Sequence, residues 1–188
     1  MASDSELNAF LKSVEARAFK RAVYAVRDQD AALDIVQDAM IRLAQSYGHH
    51  AAAEWPMLFQ RILSNAIMDW FRRQKVRRAV MQNFTDLEAP SEEDGSTADL
   101  LETLMTGGAE GESAADAFSR TETLELIEEE LARLPHRQRE AFLLRYWEEL
   151  DLAETAEAMG CSEGSVKTHC WRAVQALAKA LKLRGVSP

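Results

Sequence analysis

LPHRQREAFLLRYWEELDLAETAEAMGCSEGSVKTHCWRAVQALAKAL, from Leu134 to Leu181, is the stretch whose reading decides the fold. Asp151 stands where it can N-cap a short helix, and Glu154 three positions later completes a capping box. Leu152, Ala156 and Met159 share one face of that helix. Gly160 follows, the residue best suited to the left-handed backbone of a tight turn. Ser162 can cap a second helix whose inward residues Val166, Cys170, Ala173 and Leu177 keep helical spacing. The opposite face offers Ser165, Lys167, Thr168, His169, Trp171 and Arg172 to an external surface. Two helices joined this way, the second presented N-terminus first, form a helix-turn-helix of the kind that enters the major groove of DNA.

A DNA-reading element sits oddly with a formal net charge of −9 over 188 residues, because nucleic-acid-binding domains are usually basic. The distribution of charge removes the conflict. Residues 1–82 carry a net +3, residues 83–130 a net −14 and residues 131–188 a net +2. The acidity lies in the middle, between two ends that can approach phosphates. The middle tract is also rich in turn formers (Pro90, Gly95, Gly107, Gly108, Gly111), the composition of a flexible linker. Leu100, Leu101, Leu104 and Met105 could make a brief helical turn within it.

Working outward, the N-terminal part reads as helices throughout. The first runs from about Glu6 to Val26, with Phe10, Leu11, Val14, Ala18, Ala22 and Val23 at helical spacing. Asp30 is placed to cap a second, about Ala31–Tyr47, with Ile35, Val36, Ala39, Met40 and Leu43 inward. A third, about Pro56–Arg78, starts with a proline suited to a first helical position and buries Leu58, Phe59, Ile62, Ala66 and Trp70. No strand pattern is found, so the expected class is all-α: two small helical domains, at 5–82 and 121–185, joined by an acidic linker at 83–120. No apolar run reaches the roughly 18 residues of a membrane span, and MASDSELNAF lacks a signal-peptide pattern. The expected place is the cytoplasm, without membrane insertion.

The third helix ends in a dense basic tract. Arg61, Asn65, Asp69 and Arg72 fall near one face, followed by Arg73, Lys75, Arg77 and Arg78. Guanidinium and ammonium groups in such a row suit phosphates, and an Asn can hydrogen-bond a base edge. A solvated helix end whose cations favour the dipole is the plainer account. On the second helix, Asp34, Gln37 and Asp38 form either an ordinary solvated face or a docking face for a basic protein surface. Cys161, His169 and Cys170 invite a metal reading, but no second pair completes a tetrahedral site, and His169 and Cys170 diverge by about 100° around the helix. Both cysteines sit where the motif wants a small buried apolar residue. With no phosphate loop, nucleophile motif or acid–base set, neither an enzyme active site nor a cofactor nor a metal is expected.

These parts, in this order, resemble the sigma-70 family of bacterial RNA polymerase initiation factors, most of all its small extracytoplasmic-function (ECF) group. DAALDIVQDAMIRLAQSY (Asp30–Tyr47) is similar to the segment by which sigma region 2 docks on core polymerase. FQRILSNAIMDWFRRQKVRR (Phe59–Arg78) is similar to the helix that melts and reads the −10 element. Leu134–Leu181 is similar to region 4, which reads the −35 element. The resemblance implies that Asp34, Val36, Gln37 and Asp38 bind core polymerase, and that Asn65 lies near the flipped −10 base. It puts Arg72, Arg73, Lys75, Arg77 and Arg78 on the DNA backbone, and Ser165, Lys167, Thr168, His169 and Arg172 on the −35 element. Core RNA polymerase and promoter DNA are the implied partners, with an anti-sigma factor a further one. The chain departs from the family's usual residues at Thr155, His169, Cys170 and Val174, leaving fewer cations on the reading helix. In relatives the segment between the two regions threads the polymerase's RNA channel, where a polyanion would imitate a nucleic-acid strand. The rival class is a self-sufficient helix-turn-helix activator or repressor with a helical sensor domain.

Overall fold

The computed structural model describes residues 4–81 and 126–183; the acidic tract at 83–120, with its expected helical turn, lies outside them. The N-terminal lobe holds α1 (Asp4–Val26), α2 (Gln29–Tyr47), a single 3-10 turn (Ala52–Glu54) and α3 (Trp55–Met81). The C-terminal lobe holds α4 (126–133), α5 (His136–Phe142) running into a π-helical turn (Leu143–Trp147), α6 (Leu152–Met159) and α7 (Glu163–Leu183). Among the described residues there is no strand, and the all-α expectation stands.

The N-terminal lobe closes three helices on one apolar cluster. Ala22, Ala32 and Ala39 are fully buried, and their small side chains let the helix axes approach. Trp55, Phe59, Leu63 and Ile67 fill the space from the α3 side. Phe10 of α1 packs on Trp55 and edge-on against Phe59, at ring separations of 5.8 and 6.2 Å. The Trp55 indole N–H donates to the Tyr47 carbonyl at 3.1 Å, so the polar end of this buried ring is satisfied. The helix boundaries differ from the sequence reading by one to three residues. One difference has a clear cause: Asp28, not Asp30, caps α2, its carboxylate accepting the Ala31 N–H at 3.0 Å. Asp28 is extended, as a cap must be, whereas Asp30 is already inside the helix.

The C-terminal lobe has two smaller clusters. Leu126, Ile127, Leu131, Phe142, Leu177 and Leu181 tie α4, α5 and the end of α7 together. Leu144, Ala156, Met159 and Val166 fill the helix-turn-helix. The π turn divides one short segment among three clusters: Phe142 and Tyr146 face the first and Leu144 the second, while Leu143 and Trp147 join the core of the N-terminal lobe. The wider turn redistributes side-chain directions that a regular α-helix would have fixed.

The lobes therefore meet through a packed interface. Arg21 of α1, fully buried, donates to Gln60, to Ser64 at 2.6 Å and to the Glu140 carboxylate. Ser64 donates to the same Glu140 oxygen at 2.8 Å. The preceding residue returns the contact: Arg139 donates to the carbonyls of Ala25 and Tyr24 while also holding those of Leu131, Ala132 and Leu134. It thus bridges the ends of α1 and α4, where the helix dipoles favour a cation. The Trp147 ring lies edge-on to Tyr24, with the Arg17 and Lys20 cations over it at 5.7 and 5.1 Å.

Candidate nucleic-acid interface

Every local device read from the helix-turn-helix sequence is present. Asp151 accepts the Glu154 N–H at 2.8 Å, and Glu154 accepts the Asp151 N–H at 2.8 Å. Thr155 is buried, and its hydroxyl donates to the Asp151 carbonyl at 2.7 Å, so a polar residue sits inside without an unmet hydrogen bond. Gly160 is left-handed at φ 61°, and the Cys161 N–H closes back on the Ala156 carbonyl at 3.1 Å. A Cβ on Gly160 would meet nothing within 4 Å, so the turn requires glycine for its backbone angle and not for space. Ser162 accepts the Ser165 N–H at 3.2 Å and caps α7.

On the reading face, Lys167 and Thr168 are exposed, and Ser165, His169, Trp171 and Arg172 are half-buried. Two hydroxyls have structural duties as well: Ser165 pairs with Ser162 at 2.9 Å, and Thr168 donates to the Gly164 carbonyl at 3.0 Å. Cys161 and Cys170 pack into the helix-turn-helix cluster. Burial pushes the Cys170 thiol up to about 11 and raises that of Cys161 as well. They behave as small hydrophobes, and among the described residues no group of three metal ligands occurs.

Along α3 the candidate residues divide. Asn65, Arg72, Arg73, Lys75 and Arg77 are exposed, with Asp69 half-buried and paired to Arg72 at 2.9 Å. Arg61 reaches Glu157 of α6 at 3.7 Å. Arg78 lies in the helix, its side chain outside the description. Sequence reading missed Arg21, Gln60 and Ser64. Its one available signal was a cation, Arg21, on the inward face of α1 between Ala18, Ala22 and Ala25.

On α2, Asp34, Gln37 and Asp38 are exposed, but Val36 is 2% exposed in the core and cannot serve a docking face. The helical period that brings Ile35 and Ala39 inside takes Val36 with them. The face has two residues that reading overlooked, Leu33 and Ile41, exposed at 46% and 52%. With Gln37 they stand at steps of four along the outer side, apolar groups off the buried stripe.

Comparison with known proteins agrees with this geometry. The family described as Sigma-70, region 4 matches residues 124–177. SigM of Mycobacterium tuberculosis, an ECF RNA polymerase sigma factor, is 31% identical over 159 residues, covering 82% of this chain and 66% of that protein. The RNA polymerase sigma-E factor of Streptomyces coelicolor is 27% identical over 95% of this chain and 88% of its own length. SigV of Bacillus subtilis, also an RNA polymerase sigma factor, is 28% identical over 80% and 75%. Among solved structures, the sigma factor RpoE of Bartonella quintana, crystallised with the anti-sigma factor NepR, superposes with a TM-score of 0.55 at 22% identity, covering 95% of this chain and 96% of that one. The chain belongs to the ECF group of the sigma-70 family, and is an alternative sigma factor that directs transcription.

Proposed function

We propose that the two lobes divide promoter recognition between them. In the C-terminal unit, 121–185, α7 presents Ser165, Lys167, Thr168, His169, Trp171 and Arg172 to the −35 element. In the N-terminal unit, 5–82, α3 presents Arg61, Asn65, Asp69, Arg72, Arg73, Lys75, Arg77 and Arg78 to the −10 element, with 83–120 as the tether. The outer face of α2 docks on core RNA polymerase through Asp34, Gln37 and Asp38, and Leu33 and Ile41 supply the apolar contact. An anti-sigma factor is included among the partners because RpoE was crystallised with one. The polymerase supplies the chemistry and the chain supplies specificity, acting in the cytoplasm.

The observation that carries this reading is the exposed Leu33–Gln37–Ile41 stripe with Asp34 and Asp38 along one side of it. A self-contained DNA-binding regulator has no use for it. Full burial of a Leu or Ile contributes about 1.5–3 kcal/mol, so Leu33→Asp or Ile41→Asp should weaken association with purified core polymerase by roughly tenfold or more. Unchanged association of both variants would remove α2 from the docking role. Asn65→Ala should leave closed-complex affinity intact and reduce permanganate reactivity of melted thymines; equal loss at both steps would take Asn65 out of base reading.

A further inference from the structure

Among the described residues four large hydrophobic side chains stay exposed: Leu33 and Ile41 on α2, Leu183 at the end of α7, and Val76, 64% exposed, near the end of α3. A single exposed apolar residue is ordinary, but Val76 stands in a particular place. It lies 11 residues after Asn65, and 11 helical residues turn through three full circles and about 20°. Val76 therefore shares the direction of Asn65, three turns further on. Arg72 falls near the same line, within about 20° of Asn65. This line is off the buried stripe of Phe59, Leu63, Ala66 and Ile67.

The neighbours of Val76 are cations. Arg72, Arg73, Lys75 and Arg77 are all exposed around it. Lys75 and Arg77 lie about 100° to either side, with Arg72 and Arg73 one turn back. Long charged side chains on two sides of a short apolar one suit a helix lying in a groove. The cations reach phosphates on both walls, and the centre faces the base edges. Phosphates and most base-edge atoms are polar. The apolar group that a major groove offers is the C5 methyl of thymine.

We infer that Val76 is a specificity-determining residue that reads a thymine methyl in the duplex flank of the −10 element. This rests on the placement of DNA on α3 proposed above, and adds which base and which group α3 selects there.

The chemistry of valine fits that task. In a helix its side chain holds one strongly preferred rotamer, so the methyls are in place before DNA arrives and little freedom is lost on contact. The contact removes two apolar groups from water at once. A cytosine at the same position lacks the methyl, and its amino donor would meet a group that cannot accept it. A purely electrostatic grip would be served better by Lys or Arg at this position, both also stronger helix formers than valine. Along the axis, 11 residues cover about 16 Å, or about five base pairs of duplex.

The test uses holoenzyme, core polymerase with the full chain, and a promoter library randomised through the −10 element and its flanks. Wild type should favour thymine at one position that Val76→Ala treats neutrally. That position should lie within about five base pairs of the base whose preference shifts with Asn65→Ala. In a recovered promoter, this thymine is then replaced by deoxyuridine, which pairs in the same way and lacks only the methyl. Wild-type holoenzyme should lose about fourfold in affinity, the effect of one buried methyl-sized group. Holoenzyme with Val76→Ala should bind the two DNAs equally. Equal losses in both proteins, or no thymine preference that depends on Val76, would overturn the inference. Weaker association of Val76→Ala with core in the absence of DNA would also overturn it, by giving the valine to the polymerase. A variant carrying Arg73→Ala and Arg77→Ala separates this inference from the reading beneath it. Weaker binding to every promoter, with a smaller salt dependence, beside equal deoxyuridine losses would sink the role of Val76 alone. Unchanged binding by the double variant would remove DNA from this end of α3 and overturn both.

Discussion

The N-terminal lobe builds one continuous core from Leu7 to Ile67 and completes it with two bulky aromatics, Trp55 and Phe59. The C-terminal lobe splits its apolar residues between two clusters and lends Leu143 and Trp147 to its neighbour. A domain of about 60 residues buries a smaller fraction of its surface than a large one and is marginal alone, so the second lobe depends on different devices. Its helix-turn-helix is fixed by a capping box, a left-handed glycine and a serine cap, each local in sequence. The first lobe should fail when core volume is lost, and the second when a cap or turn is lost.

The largest expected effect is in the first lobe. Phe59→Ala removes a ring that is 1% exposed and should cost about 3–5 kcal/mol, seen as a lower denaturation midpoint. A loss below about 1 kcal/mol would show that this core is not its main source of stability. Next comes DNA reading: Arg172→Ala should weaken −35-dependent initiation by about 1–3 kcal/mol if the guanidinium makes a bidentate base contact, and less for a phosphate contact. Gly160→Ala forces an L-residue to φ 61° and should cost about 1–2 kcal/mol. Hydrogen exchange should show faster amide exchange in α6 and α7 than in α2. Uniform acceleration across both lobes would deny the second lobe its separate, turn-based stability.

The smallest effect concerns pH. Burial holds the Cys170 thiol up at about 11, above its unfolded value. The stability this represents is complete below the unfolded pKa and is lost as pH rises through about 11. At pH 8, Cys170 should react with a thiol reagent only on unfolding. Rapid modification of the native protein would place it outside the core.

These contrasts also explain what could be read from the sequence. The capping box at Asp151 and Glu154, Gly160 and the inward stripe of α7 are legible because each is decided within a few residues. Asp28 and Asp30 both satisfy the composition of a cap, and only backbone geometry chooses between them. Val36 looked like part of the α2 docking motif, but the period that buries Ile35 takes it inside. Leu33 and Ile41 were legible in principle, as apolar residues on the wrong side of an amphipathic helix. The Arg21–Glu140 pair was not, since it joins positions 119 apart. Periodicity shows that a side chain faces inward, but not what it will meet there.

On this reading the chain gives core RNA polymerase a promoter preference, with one lobe for each element. The most direct measurement is transcription from a promoter library by purified core polymerase, with and without the protein. New start sites should appear that share a −35 and a −10 sequence at fixed spacing, dependent on the protein and on both elements. Absence of any added initiation, together with tight sequence-specific duplex binding by the protein alone, would contradict it and favour a self-sufficient regulator.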